Sequence, residues 1–257
     1  MVPETNTFID KHMSLMRINR YISLTGAISR RRADELIRSA RVSINKRRAS
    51  LGDLVNPASD KVSIDGQAVN VQKPLYLVLN KPKQILTTMY DPKGRPCIND
   101  LIPAKYKGVF PVGRLDWDAE GLLILTNDGD LSNALHHPVY GVRKIYLVQV
   151  RPPASPGALA KMSNGVILDG KKTRPADIKK VSQNSVSTLL RITLREGRKN
   201  QIKRMARSVG LTVTSIKRIA VGPITLKAIK PGTLHELSLE ELNKLNNLLK
   251  NIRKTLT

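Results

Sequence analysis

Apolar residues follow helical spacing at the start of the chain, at Ile18, Tyr21, Ile22 and Thr25, and Gly26 is placed to stop that helix. Ser29 is set to cap a second helix, on which Ala33, Leu36, Ile37 and Ala40 form one apolar stripe. Short strand-like runs follow at 42–44 and 61–64, and Asp65-Gly66 predicts a tight hairpin turn into 67–71. Lys73-Pro74 then punctuates the chain, so the pattern predicts a short tail at 1–14, a small module at 15–72 and a larger domain at 73–257. In that domain strands are expected at 75–79, 109–112, 122–126, 145–150, 188–194 and 213–219. Helices are expected at 131–135, 156–162, 200–209 and 239–252. The last opens on a capping box, Ser238 with Glu241, and a staple of Leu237 against Leu242. Its stripe of Leu242, Leu245, Leu248, Leu249 and Ile252 reads as a face packed on a sheet. Strands dominate and helices are interspersed. The expected class is α+β, a small αβ module followed by a domain with a mainly antiparallel central sheet.

Composition changes this picture in one respect. Of 257 residues, 40% are hydrophobic and 25% charged, an ordinary balance that permits a real core. The charge is not ordinary: 44 Lys and Arg stand against 20 Asp and Glu, a formal net charge of +24. A surface so positive points to an anionic partner, nucleic acid before membrane. No apolar run approaches the roughly 20 residues that span a bilayer. The opening segment, with Glu4 and Asp10, does not read as a secretory signal. Cys97 is the sole cysteine, which excludes an intrachain disulfide. With it, His12, His136, His137 and His235 offer no metal-ligand spacing, and His136-His137 before Pro138 reads as a helix end. A cytoplasmic, monomeric protein is expected.

Between Arg17 and Arg48 ten basic residues face only two acids, Asp34 and Glu35. Arg31, Arg38 and Arg41 fall opposite the apolar stripe of the second helix, and Lys46, Arg47 and Arg48 form a second basic point after a strand. A charge run is usually a solvated face. Here an intact apolar stripe backs it, which suits a phosphate backbone. Tyr21 is the only aromatic residue in the stretch and lies on the apolar side, so shape and phosphate recognition of structured RNA fits better than base stacking. The runs Arg17-Ile18-Asn19-Arg20-Tyr21-Ile22, Gly26-Ala27-Ile28-Ser29-Arg30-Arg31-Arg32-Ala33-Asp34, Leu51-Gly52-Asp53 and Val62-Ser63-Ile64-Asp65-Gly66 resemble the S-four-type RNA-binding domain, in order. The resemblance implies RNA contacts by Arg17, Arg30, Arg31, Arg32, Arg38, Arg41, Lys46, Arg47 and Arg48. The family usually has Asn-Gly where this chain has Asn45-Lys46, which bears on turn geometry.

The densest motif lies at 109–131. An apolar strand ends at Gly113, a polar loop carries Arg114, Asp116, Asp118 and Glu120, and Gly121 opens a second apolar strand that stops at Asp128-Gly129. Carboxylates between two strands can be held rigidly, as a nucleophile requires. On spacing alone, loop aspartates are more often turn formers. Gly113-Arg114-Leu115-Asp116 is similar to the signature of pseudouridine synthases, in particular the RsuA-type ribosomal-RNA branch. Lys144-Ile145-Tyr146 resembles the family's Lys-x-Tyr strand, and the run from Glu196 through Gly197-Arg198-Lys199-Asn200-Gln201-Ile202-Lys203-Arg204 to Met205 resembles its late motif. Asn80-Lys81-Pro82, with Asp91-Pro92-Lys93-Gly94-Arg95-Pro96, resembles the opening of the catalytic domain in the subgroup acting on large-subunit rRNA.

The resemblance implies roles. Asp116 would start glycosidic-bond cleavage on a base flipped out of the RNA. Tyr146 would stack on that base, and Lys203 would pair with Asp116 and keep it ionised. Arg114, Leu115, Arg198, Gln201 and Arg204 would bind substrate. The implied partner is ribosomal RNA or a ribosome assembly intermediate, and the implied chemistry uses no metal or other cofactor. Three positions depart from the family: Ala119 for Ser or Thr, Asn200 for Arg or His, and Lys203 for the commoner Arg. Gly165-Val166-Ile167-Leu168-Asp169-Gly170-Lys171-Lys172 nearly matches a P-loop but lacks the Ser or Thr after the first Lys, and 166–168 reads as strand. The rival functions are a non-catalytic RNA-binding assembly factor and an RNA-processing hydrolase, and the latter should need metal carboxylates or a His pair.

Overall fold

The computed structural model describes residues 15–26 and 28–256, with side chains to 250. The expected tail at 1–14 and the side chain of Ile252 lie outside the described residues. Two compact units emerge: the residues to Tyr76 with Pro103–Phe110 and Thr126–Gly129, and Leu77–Ile102 with Pro111–Leu125 and the chain from Asp130 onward.

The first unit comprises β1 (Met16–Arg17), α1 (Ile18–Ser23), α2 (Arg30–Arg38), β2 (Val42–Ile44), β3 (Arg47–Arg48), β4 (Leu54–Val55), β5 (Val62–Ile64) and β6 (Gln67–Ala68). Ile18, Tyr21 and Ile22 of α1 and Ala33, Leu36 and Ile37 of α2 are buried with Val42, Ile44 and Val62 in one apolar core. Ser29 caps α2, its hydroxyl accepting from the Arg32 amide at 3.3 Å. Ala40 does not belong to the helical stripe: it is exposed, with φ 57. The Ala40 amide donates to the Ile37 carbonyl and the Arg41 amide to that of Leu36, both at 3.0 Å, so a left-handed closing turn ends the helix before Ala40. The sheet order is β3-β2-β5-β6. Both of its tight hairpin turns need two left-handed residues, supplied by Asn45 and Lys46 (φ 48 and 71) and by Asp65 and Gly66 (φ 51 and 81).

The second unit is built on β7 (Tyr76–Lys81), β8 (Phe110–Pro111), β9 (Glu120–Thr126), α3 (Gly129–His136), β10 (Lys144–Arg151), α4 (Pro156–Ser163), β11 (Ile167–Leu168), β12 (Lys171–Lys172), β13 (Asp177–Gln183), β14 (Thr188–Leu194), α5 (Gln201–Arg207), β15 (Thr212–Val221), β16 (Ile224–Thr225), β17 (Leu234–Glu236) and α6 (Leu239–Leu256). One sheet runs β13-β14-β10-β15-β9-β7-β17, with β16 beside β15 and β8 beside β9. β10 is antiparallel to β14 and β15, β13 to β14, and β17 to β7. β15 and β9 run parallel. The fold is thus the α+β class with a mostly antiparallel sheet. Leu77, Val78 and Leu79 of β7 and Leu122, Leu123, Ile124 and Leu125 of β9 are buried, and such unbroken apolar runs mark strands covered on both faces. The capping box of α6 forms: the Ser238 amide donates to Glu241 Oε2 at 2.9 Å and the Glu241 amide to Ser238 Oγ at 3.3 Å. Leu245 and Leu249 are buried, whereas Leu242 and Leu248 are half-buried. The strand pattern did not predict β13, because six of its seven side chains are exposed and it lies at the sheet edge.

Candidate active site

The loop between β8 and β9 is held through its backbone by side chains from outside it. Thr87 Oγ1 donates to the Leu115 carbonyl at 2.6 Å and accepts from the Leu115 amide at 3.2 Å. Lys81, at the end of β7, is wholly buried; its ammonium donates to the carbonyls of Pro82 (2.8 Å), Ala119 (3.0 Å) and Asp116 (3.4 Å). Burial pulls the Lys81 pKa down to about 8, while the carboxylates of Asp116 and Asp118 pull the other way. The Ala119 amide closes the turn on the Asp116 carbonyl at 3.1 Å. The far end of the loop is tied to β15. Gly121 (φ +107) lies opposite Arg218 in the parallel ladder, and a Cβ at 121 would stand 2.3 Å from the Arg218 carbonyl oxygen.

Asp116 thereby reaches a cavity of 490 Å³ whose lining includes Arg114, Lys144, Tyr146, Asn200 and Arg218. Tyr146 and Arg218 are direct ladder partners between β10 and β15, beside a register shift. Directly opposed residues share a face of the sheet, so both side chains point into the cavity. Asn200 begins α5 in the left-handed conformation, φ 51, which Asn tolerates better than most residues. With its amide oriented so that nitrogen faces the carboxylate, Asn200 Nδ2 donates to the two oxygens of Asp116 at 2.8 and 3.2 Å.

The expected partnership of Lys203 with Asp116 is therefore corrected. Lys203 bonds Asp118 at 2.5 Å, and Asn200 occupies the Asp116 carboxylate. Lys203 lies nearly one turn into α5, where it meets the second carboxylate of the loop rather than the first. Burial raises the Asp118 pKa, but the Lys203 hydrogen bond and charge outweigh it and hold the group below the usual carboxylate range.

The expected substrate-binding residues divide in the same way. Arg114 and Leu115 line the cavity. Arg198 and Gln201 line it too, but both are engaged within the protein. Gln201 is buried, donating to Glu196 Oε1 at 2.7 Å and accepting the Arg198 amide at 2.9 Å. The Arg198 guanidinium donates to the carbonyls of Lys171 (2.9 Å) and Lys172 (2.7 Å). Arg204 grips Asp169 with two bonds, 2.9 and 2.6 Å, and is not part of the cavity lining.

Sequence reasoning gave no role to several groups at the cavity. Arg218 is buried; its Nε donates to the Leu122 carbonyl at 2.7 Å, while Nη2 has no partner among the described residues. Burial, and then the charge of Arg218, lower the Lys144 pKa to about 8. The His136 pKa is lowered by burial first and then by Lys144, His137 and Arg218, and its ring lies 3.1 Å from where a Gly113 Cβ would stand. Lys144 belongs to the Lys-x-Tyr motif, but nothing local in the sequence marks Arg218, which enters only through the pairing of β15 with β10 and β9.

In the first unit Arg17, Arg30, Arg31, Arg32, Arg38, Arg41, Lys46, Arg47 and Arg48 are all exposed. Arg32 pairs with Glu35 at 2.6 Å, Arg41 holds Asp65 through two bonds of 2.8 and 2.5 Å, and Arg47 meets Asp53 at 2.9 Å.

A carboxylate set in a basic cavity, in a chain that also carries a separate basic module, defines an enzyme that acts on nucleic acid. The comparisons with known proteins make the class specific. The family described as RNA pseudouridylate synthase matches residues 75–208, and the S4 domain matches residues 16–62. An RNA pseudouridine synthase of Aquifex aeolicus is 43% identical over 91% of this chain and 94% of its own length. The ribosomal large subunit pseudouridine synthase B of Bacillus subtilis is 32% identical over 90% of this chain and 96% of its own. A crystal structure of a pseudouridylate synthase superposes with a TM-score of 0.65 at 27% identity, covering 90% of this chain and 99% of that one. The chain belongs to the RNA pseudouridylate synthase family and is a pseudouridine synthase acting on RNA.

Proposed function

We propose that this enzyme converts a specific uridine of large-subunit ribosomal RNA to pseudouridine, with Asp116 as its nucleophile. The observation that carries the reading is the placement of Asp116. Its carboxylate faces a cavity of 490 Å³, a size suited to one extruded nucleoside, while Asn200 holds that carboxylate and Lys81 the Asp116 backbone carbonyl. Tyr146 stacks on the extruded base, and Arg114 holds the flipped nucleotide through a neighbouring phosphate. Lys203, through Asp118, fixes the loop that carries Asp116. In the reaction the N1–C1′ bond breaks, the uracil rotates, and C5 bonds to C1′; C5 loses its proton and N1 gains one. Residues 15–72 anchor the ribosomal RNA through their exposed arginines and lysine, and 73–257 carry the chemistry. The Bacillus subtilis relative's name supports the large subunit. The protein works as a cytoplasmic monomer. Among the described residues no helix is long and apolar enough to cross a membrane.

The test is tritium release from ribosomal RNA labelled at C5 of its uridines, with the two subunit RNAs incubated separately. Wild type is expected to release tritium from large-subunit RNA, and Asp116→Asn to lose at least about a thousandfold in rate while binding is retained. No release from either RNA, as transcript or assembly intermediate, would overturn the ribosomal substrate.

A further inference from the structure

The segment that nearly matches a P-loop folds as the β11–β12 hairpin. Asp169 and Gly170, with φ 53 and 72, make its two-residue turn. Gly165 (φ +87) lets the hairpin base close, since a Cβ there would stand 2.4 Å from the Thr173 carbonyl oxygen. Two bonds across the base, from the Val166 amide to Thr173 Oγ1 (3.0 Å) and from the Thr173 amide to the Val166 carbonyl (2.8 Å), complete it. A two-stranded ribbon this short does not hold its own position.

Three arginines hold it instead. Arg198 takes the carbonyls of Lys171 and Lys172, and Arg204 takes both carboxylate oxygens of Asp169 at the tip. Arg174, just beyond the hairpin, donates to the Pro138 carbonyl at 3.1 Å. Arg198 and Pro138 are themselves part of the cavity lining, so the hairpin is fastened to the cavity wall. The fastening leaves Lys171, Lys172 and Ile167 exposed, with Ile167 the cross-strand partner of Lys172. Exposed lysines alone mean little. A basic hairpin fixed beside a catalytic cavity by that cavity's own motif is a different matter.

We propose that the β11–β12 hairpin is an RNA-contacting finger. Lys172, which shares a face with Ile167, lies on a phosphate of the strand flanking the target uridine while Ile167 rests against a neighbouring ribose or base, and Lys171, on the opposite face, reaches a second phosphate of that strand. Arg198 and Arg204 are positioning residues that aim the finger, and their contact with RNA is through it. The proposal rests on the reading above that RNA enters this cavity.

The experiment is binding of an unmodified large-subunit rRNA transcript across a salt series. The double variant Lys171→Ala with Lys172→Ala should weaken binding about tenfold at moderate salt and reduce the slope of log affinity against log salt by between one and two. An unchanged slope would overturn the finger. A charge exchange tests the aim: Arg204→Asp and Asp169→Arg should each weaken binding about fivefold, and the two together should restore it. Failure of the exchange to restore binding, in variants with wild-type melting temperatures, would place Arg204 on the RNA itself and overturn its positioning role. These readouts need no turnover. A reduced slope without tritium release would spare the finger and remove the proposed reaction, and release with an unchanged slope would do the reverse.

Discussion

The two units use the same residue types in opposite ways. In the first, arginines and lysines stand on the surface of α2 and the β2–β3 turn, where several meet carboxylates of their own unit. Water screens them, so such pairs contribute little to stability. In the second, Lys81 and Arg218 are buried and Lys144 is half-buried, each facing carbonyls, carboxylates or one another. The difference teaches that an exposed cation keeps its charge in water, where another cation could replace it, whereas a buried cation sets position and has no such substitute. A buried charge persists only where its partners are fixed, so it fixes them in turn.

The sharpest way to break that comparison is Lys81→Met. The carbonyls of Pro82, Asp116 and Ala119 lose their shared donor, at a cost of about 1–3 kcal/mol in stability. The Asp116 loop is freed with them, and single-turnover rate should fall about a hundredfold. Urea unfolding and tritium release measure the two effects. Wild-type rate in this variant would show that the lysine does not position the loop.

A smaller effect lies in the pH dependence of Lys144. Its pKa is about 8 in the folded protein against an ordinary 10.5. Between these values the unfolded chain binds a proton that the folded one does not, so this group's contribution to stability rises with pH across the window. It is lost as pH falls through about 8. Relative to Lys144→Met, wild type should gain up to about 1.4 kcal/mol per pH unit there. Urea midpoints of both proteins from pH 7 to 10 check it, and parallel curves would refute it. The smallest effect on the fold is expected in the other unit. Arg31→Glu and Arg38→Glu should leave stability within about 0.5 kcal/mol, yet lower the salt slope of RNA binding by about one per lost phosphate contact.

The sequence was informative where side chains follow a local rule. The caps at Ser29 and Ser238, the buried runs of β7 and β9 and the Gly113-Arg114-Leu115-Asp116 loop all appear where spacing places them. It failed where pairing decides. β13 carries no apolar alternation because its outer side chains meet only water. Arg218 looks like one more basic strand residue until the ladder sets it opposite Tyr146. The partner of Asp116 was misassigned for a related reason: which of two nearby carboxylates a helix residue meets depends on where α5 begins, and Asn200 begins it in a left-handed conformation. Lys46 shows the opposite limit, a residue the turn rules disfavour that nonetheless adopts the left-handed geometry its hairpin demands.

Gly121 has a consequence for how this sequence can vary. Its α-hydrogen fills a space that a methyl group cannot enter without parting β9 from β15. Gly52, Gly66 and Gly94 face open space, where a methyl group meets no atom and only the backbone conformation resists. At position 121 both conformation and space resist, so even alanine, the smallest replacement, would move two strands. One strand leads from the Asp116 loop and the other carries Arg218. A narrow tolerance of the enzyme thus falls at a residue with no chemistry of its own.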